Sequence, residues 1–176
     1  MKPRQFHFLL LDAGPVIELF RLGLWEQFIS RCHVTIVGTV ADEVCFYLDE
    51  DGNHNSIDLR RYADQGRICI EDVPLANVKS FISQFSMAYQ AELHDGERET
   101  LAFLWALHEE WRVCAADKAV FRTLGVLGRG HQGISLEELL ARIGMGRPLQ
   151  RQFSRDFRDF WTSAGQKDSI QDRGFS

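Results

Sequence analysis

Carboxylates that directly follow buried segments are the residues of this sequence with the clearest capacity for chemistry. The apolar run "FHFLLL" ends on Asp12, and the short run "RVCAA" ends on Asp117. Grouping such charges is costly, because each carboxylate loses solvent and repels the next. A divalent cation offsets that cost, and carboxylate oxygens are ligands that Mg²⁺ and Mn²⁺ prefer. The candidate acids next to core segments are Asp12, Asp42, Glu43, Asp95, Glu97, Glu99 and Asp117.

Strand and helix patterns alternate along the chain, and this alternation positions the acids. Buried strands are predicted at Phe6–Leu11, in "HVTIVGTV", in "RICIEDVP" and in "RVCAAD". The alternation predicts an α/β fold with a central parallel sheet that helices cover on both faces. In such folds the ligand site lies beyond the carboxyl ends of the strands. Asp12 and Asp117 are therefore expected at the same edge of the sheet.

Helices are predicted between these strands. The segment "LAFLWAL" is apolar on all sides, which is typical of a helix packed inside the protein. The polar segment "DEDGNHNS" at residues 49–56 is predicted as a loop. Helices are predicted at residues 15–30, 41–48, 57–65, 76–93 and 97–110, and then in "KAVFRTLG"; the segment "GISLEELLARIG" completes the body.

The last thirty residues differ from the rest. Residues 1–146 are interpreted as one domain, and residues 147–176 as an amphipathic helix with a polar end. Phe153, Phe157, Phe160 and Trp161 recur at helical spacing. Such a stripe favours docking on the body of the protein; the alternative is a partner-binding arm whose arginines contact RNA.

Charge is divided unevenly between these two parts. Residues 1–146 hold 14 basic and 21 acidic side chains, whereas residues 147–176 hold 6 and 4. An acidic body argues against a protein that grips duplex nucleic acid tightly by its backbone. It is compatible with a cation-binding pocket in which the cation meets a phosphate. Lys118 is interpreted as a solvated lysine in a first helical turn, with a phosphate contact as the alternative.

Composition and cysteine spacing narrow the class of protein further. The 45% hydrophobic and 26% charged fractions are those of an ordinary soluble globular protein. The four cysteines form no CxxC pair and lie among apolar neighbours, which predicts reduced, buried thiols. No apolar run approaches the ~20 residues that span a bilayer. The opening "MKPRQFHFLLLDAG" is interpreted as leading into a core strand rather than as a signal peptide, and a cytoplasmic location is expected.

The order and context of the acids resemble those of the PIN-domain ribonucleases. The matching segments are "LLLDAGPVIELFRLGLWEQF", "TVADEV", "DGERETLAFLWAL" and "VCAADKAVFRTLGV". The resemblance implies a three-layer PIN-like fold and a metal-dependent endoribonuclease with Mg²⁺ or Mn²⁺ as cofactor. It assigns the catalytic and metal-binding roles to Asp12, Glu43, Glu97 and Asp117, with Asp95 as a further metal ligand. It also implies an RNA substrate, a toxin role with an antitoxin partner, and a homodimer.

Other interpretations of these residues stay open at the level of sequence. Asp12, Asp95 and Asp117 each precede or begin a predicted helix and are alternatively helix caps. Asp42 is an alternative to its neighbour Glu43 as an acid of the site, and Glu99 is an alternative to Glu97. The alternative function is a catalytically inactive PIN-like module that binds RNA or protein.

Overall fold

A five-stranded sheet forms the centre of the fold. The computed structural model describes residues 6–108 and 110–176. The strands are β1 (Phe6–Leu11), β2 (Cys32–Val37), β3 (Phe46–Leu48), β4 (His54–Ser56), β5 (Cys69–Glu71), β6 (Arg112–Cys114) and β7 (Gly133–Ile134). The central sheet has the order β5-β2-β1-β6-β7, and all its neighbouring pairs are parallel. The predicted α/β class with a parallel sheet is confirmed.

Ten α-helices are found among the described residues. They are α1 (Ala13–Arg21), α2 (Trp25–Arg31), α3 (Gly38–Glu43), α4 (Leu59–Asp64), α5 (Leu75–Ile82), α6 (Met87–Glu92), α7 (Asp95–Trp105), α8 (Lys118–Val126), α9 (Leu136–Arg142) and α10 (Arg155–Ile170). Alternate residues of β1 belong to different hydrophobic clusters: Leu9 and Leu11 to one, Leu10 to the other. Both faces of the sheet are therefore buried, as the period of two along a strand requires.

The strand order places the ends of β1 and β6 at a point where the chain reverses direction across the sheet. From β1 the chain adds β2 and then β5 on one side, and later adds β6 and β7 on the other. The amide of Asp12 donates a hydrogen bond to the carbonyl of Cys114 at 3.0 Å, which ties the two strand ends together. In open parallel sheets this switch point is where ligands bind.

Two of the predicted helices are divided. The segment 15–30 forms α1 and α2, because Gly23 adopts a positive φ of 66° between them. The segment 76–93 lies within α5 and α6, which are separated by residues 83–86. There the amide of Ser86 donates to the carbonyl of Gly174, so the C-terminus satisfies backbone groups that a continuous helix would use.

The helix predicted at 41–48 and the loop predicted at 49–56 are both wrong in part. Helix α3 ends at Glu43, and the chain continues into the β3–β4 hairpin. Strand β2 is shorter than predicted, because residues 38–40 already belong to α3. The helix predicted at 97–110 begins at Asp95 and ends at Trp105. Glu109, near the end of that prediction, lies outside the described residues. Residues 1–5, which precede β1, lie outside them as well.

None of the four cysteines, all of which lie in the described part of the chain, forms a disulfide, but only Cys32 and Cys114 are buried. The prediction of four buried thiols is therefore wrong for two of them. Cys69 lies on β5 at the edge of the sheet, and Cys45 follows the end of α3, so both reach solvent. Among the described residues, none of the helices has the length and apolar character needed to cross a bilayer.

Helix α10 packs against α8 through two glycines. A Cβ at Gly165 would stand 1.9 Å from the carbonyl oxygen of Arg122, and one at Gly125 would stand 2.2 Å from that of Thr162. The aromatic stripe divides between two environments: Phe153 is buried, whereas Phe160 is 59% exposed. The tail therefore docks: the two glycines allow the helices to approach closely, and Phe157 and an ion pair between Arg122 and Asp168 add further contacts. The domain boundary at residue 146 stays a prediction.

Candidate active site

Four of the five predicted site residues line one cleft. The cleft has a volume of about 250 Å³ and lies at the carboxyl ends of β1 and β6. The acids reach it from the end of β1, the end of α3, the first turn of α7 and the start of α8. Its lining consists of Asp12, Ala13, Gly14, Glu43, His94, Glu97, Ala116 and Asp117.

Asp12 is the innermost acid of the cleft and is only 5% exposed. It immediately precedes α1, but its side chain makes no capping hydrogen bond to that helix. Burial, followed by the charge of Glu97 and then by the charges of Asp117 and Glu43, raises the pKa of Asp12 to about 7, although a hydrogen bond from the amide of Ala13 opposes the shift. The helix-cap interpretation therefore does not explain why a carboxylate occupies this position.

Glu97 is buried on the side of α7 that faces Asp12. Its Oε2 accepts a hydrogen bond from the amide of His94 at 3.0 Å, and its Oε1 lies 3.6 Å from Nδ1 of the same residue. Burial raises the pKa of Glu97, the charge of Asp117 adds to that effect, and the contacts with His94 oppose it. Glu97 thus caps α7 with one oxygen and still contributes charge to the cleft.

Asp117 is both a helix cap and a carboxylate of the cleft. Its Oδ1 accepts a hydrogen bond from the amide of Ala119 at 2.7 Å, which caps α8. The same side chain lines the cleft, and its charge raises the pKa values of Asp12 and Glu97. A cap and a cleft carboxylate are therefore compatible here.

The structure separates Glu43 from Asp42. The side chain of Asp42 forms an ion pair with Arg60 at 2.6 Å on the exposed side of α3. Glu43 faces the cleft instead, where a Cβ at Gly96 would stand 2.9 Å from its Oε2. Glycine at residue 96 therefore lets the end of α3 approach the start of α7.

Asp95 and Glu99 lie outside the cleft. Both line a neighbouring groove, in which the Asp95 side chain is 81% exposed and lies 3.5 Å from Arg98. Glu99 is buried and accepts hydrogen bonds from the amides of Thr39 at 2.9 Å and Val73 at 3.0 Å. Glu99 thus joins α7 to the segments that follow β2 and β5, and the structure does not place Asp95 with the other acids.

Sequence reasoning missed two features of the cleft. The sequence pattern does not single out His94, although its position directly before "DGE" places it beside Glu97. Small residues also shape the wall, since a Cβ at Gly14 would stand 3.0 Å from Cβ of Ala116. A side chain larger than alanine at residue 116 would crowd the first turn of α1.

The cleft supplies carboxylate oxygens, which are ligands that a hard divalent cation prefers. In the described part of the chain, no group of three or more His, Cys, Asp or Glu side chains forms an arrangement that could hold a metal ion as it stands. The four acids share a cleft without forming a closed set of ligands, and Glu97 and Asp117 are each held by a backbone amide. Mg²⁺ keeps several waters and is usually bound by one or two carboxylates together with substrate phosphate, so an open set of this kind suits it.

Comparisons with protein families, with curated proteins and with solved structures find no match to this chain. The resemblance to PIN-domain ribonucleases rests on the sequence motifs alone and stays a prediction.

Proposed function

We propose that this chain is a divalent-metal-dependent nuclease that hydrolyses RNA phosphodiesters. The observation that carries the proposal is the cleft, where a buried Asp12 shares about 250 Å³ with Glu43, Glu97 and Asp117 at the switch point of a parallel sheet. Four acids from distant segments repel one another, and a bound dication relieves that repulsion. RNA as the substrate rests on the resemblance to PIN-domain ribonucleases.

Asp12, Glu97 and Asp117 are the residues proposed to hold the cation, with Glu43 at the rim of the cleft. A bound Mg²⁺ or Mn²⁺ supplies an activated water and neutralises charge that develops on the phosphate. The protein's own contribution is to fix the acids: the amides of His94 and Ala119 hold Glu97 and Asp117 in place. The amide of Asp12 is fixed by the carbonyl of Cys114.

The test is cleavage of labelled single-stranded RNA by the full-length chain with Mn²⁺, Mg²⁺ or chelator. Asp12→Asn and Asp117→Asn should abolish divalent-dependent cleavage without unfolding the protein. Asp95→Asn is the matched control, because Asp95 is an exposed acid in the adjacent groove. For Glu43→Gln the control is Asp42→Asn, which removes the neighbouring acid that pairs with Arg60. Full cleavage by both Asp12→Asn and Asp117→Asn would refute the proposal.

A specific observation favours one alternative. Glu97 and Asp117 each accept a backbone hydrogen bond, so helix capping alone gives both residues a structural role. An inactive PIN-like module that binds RNA or protein would keep these caps and bind metal poorly. Calorimetric titration with Mn²⁺ separates the two, since only the nuclease requires the ion. The toxin role, the antitoxin partner and the homodimer stay predictions from the resemblance.

A further inference from the structure

An exposed aromatic and cationic patch lies beside the acidic cleft. Lys118 directly follows the cleft residue Asp117, and its Nζ lies 5.6 Å from the centroid of the Trp161 ring. The ring of Phe160 stands nearly perpendicular to that of Trp161, at 87°, with 5.1 Å between their centroids. Helix α10 thus brings two adjacent aromatic side chains to the first residue of α8, which follows the cleft residue Asp117.

Packing of α10 does not account for Phe160. The contact with α8 is made by Gly165 against the backbone of Arg122, and by Phe157, whose ring lies 6.4 Å from that of Phe121. The Phe160 side chain stays 59% exposed although buried positions exist on the same helix. An exposed phenylalanine contributes little to stability, whereas an open ring face can stack on a nucleobase.

The charge at this place suits a phosphate. Lys118 is exposed and, among residues 6–108 and 110–176, forms no ion pair with a carboxylate. Its cation lies over a Trp ring, a favourable contact that orders the ammonium group without neutralising it. The other exposed aromatic near an acid of the cleft, Phe46 on the hairpin, has an acidic turn beside it at residues 49–51.

We propose that Lys118, Phe160 and Trp161 form a subsite that binds one nucleotide of single-stranded RNA next to the cleft. A base stacks on the exposed face of Phe160, and Lys118 binds the adjoining phosphate. Trp161 is a positioning residue, because it contacts both the Phe160 ring and the Lys118 cation. A duplex does not fit this subsite, since its bases are stacked on each other and their faces are not available. The subsite rests on the proposed function for its substrate, but it does not involve the metal.

The experiment measures binding of a fluorescently labelled single-stranded RNA to the full-length chain in the presence of chelator, by anisotropy. Under these conditions the RNA stays intact whether or not the protein is a nuclease. Phe160→Ala should weaken binding about five- to tenfold, the lower part of the range for loss of one base–aromatic stack. Phe160→Trp should retain the affinity of the wild type, whereas Phe160→Leu should lose it, because leucine keeps apolar area but has no ring.

The plot of log K against log salt has a negative slope, and Lys118→Ala should make it less steep by about 0.7, the value for one phosphate contact on a single strand. Lys118→Arg should keep the slope. The matched controls are Lys167→Ala, which removes an exposed lysine elsewhere on α10, and Phe46→Ala, which removes an exposed aromatic on the hairpin. Neither control should change the affinity more than twofold. The same RNA in duplex form should show no effect of Phe160→Ala.

The outcomes distinguish this subsite from the nuclease proposal. Weaker binding by Phe160→Ala, together with no cleavage by the wild type in Mn²⁺, would support the subsite and refute the nuclease. Cleavage by the wild type, with unchanged binding by Phe160→Ala and an unchanged salt slope for Lys118→Ala, would refute the subsite alone. Absence of any RNA binding would refute the subsite as well.

Discussion

Gly96 and Glu43 approach each other so closely that a Cβ at residue 96 would stand 2.9 Å from Oε2 of Glu43. The same Cβ would stand 2.9 Å from Cγ2 of Val40, which is fully buried. The contact joins the end of α3 to the first turn of α7, and these are the two helices that supply Glu43 and Glu97 to the cleft. The separation between two of the four acids thus depends on the missing side chain of a glycine.

Gly96→Ala should therefore destabilise the protein and weaken binding of Mn²⁺. Alanine normally stabilises a helix by about 1 kcal/mol relative to glycine, so a loss would reveal the clash. Overpacking against Val40 should cost about 1–3 kcal/mol, measured by urea denaturation. Gly146→Ala is the control, because the nearest atom to its Cβ would be at an ordinary 3.5 Å. Equal or greater stability of Gly96→Ala, with unchanged Mn²⁺ affinity, would contradict this role.

Asp12 should make the metal-free protein less stable as the pH rises. The pKa of Asp12 is about 7 in the folded protein, against an ordinary value of 3.8 for an aspartate in the unfolded chain. Between these pH values the folded state holds a proton that the unfolded state has lost. The stabilisation that the protonated Asp12 contributes is therefore complete below pH 3.8 and is lost as the pH rises through about 7. Asparagine does not titrate, so the free energy of unfolding of Asp12→Asn lacks this decrease. The difference between the variant and the wild type should therefore grow in favour of the variant from pH 4 to pH 8, by about 4 kcal/mol at most.

The measurement is urea denaturation of both proteins in chelator at several pH values. Mn²⁺ at a hundredfold excess over its Kd should then stabilise only the wild type, by about 2.7 kcal/mol. If the difference in the free energy of unfolding between the two proteins does not change with pH, folding does not raise the pKa of Asp12.

Glu97 and Glu99 should respond to mutation in opposite ways. Glu97→Gln keeps an acceptor for the amide of His94 but loses the charge, so it should retain stability and lose most Mn²⁺ binding. Glu99→Ala leaves the amides of Thr39 and Val73 without their acceptor, and should cost about 3 kcal/mol. Its Mn²⁺ affinity, measured by calorimetry below the unfolding transition, should be close to that of the wild type. Loss of binding in Glu99→Ala alone would reverse the assignment.

Gly165→Ala should loosen α10 from α8. Its Cβ would stand 1.9 Å from the carbonyl oxygen of Arg122, which belongs to the backbone and cannot move aside as a side chain can. We expect a loss of about 3 kcal/mol in the free energy of unfolding. Ser163→Ala, at an exposed position of the same helix, should change stability by less than about 0.5 kcal/mol. Similar stability of the two variants would show that the close packing is not needed.

The sequence predicted those parts of the fold that depend on local pattern. The apolar run before Asp12 and the shorter one before Asp117 are strands, because continuous burial on both faces leaves that signature. The parallel sheet followed from the alternation of strands and helices. The convergence of the two acids followed in turn, since the carboxyl ends of parallel strands share one edge.

The remaining features depend on contacts between distant segments. The local sequence does not predict the end of α5, since Phe81, Phe85 and Tyr89 continue a helical stripe through residues 83–86. The helix is interrupted where the carbonyl of Gly174 accepts a hydrogen bond from the amide of Ser86. Similarly, Glu97 and Glu99 both lie in an apolar helix. Glu99 is buried because it accepts hydrogen bonds from the amides of Thr39 and Val73, which belong to distant parts of the chain and give it a structural role.

The most direct test of the account is a crystal grown with Mn²⁺ and examined for anomalous scattering at the metal edge. The account predicts a peak within coordination distance of carboxylate oxygens from Asp12, Glu97 and Asp117. The peak should disappear in Asp12→Asn and remain in Asp95→Asn. A fully occupied Mn²⁺ site elsewhere on the protein, with no peak in the cleft, would contradict the central claim that these acids bind one cation together.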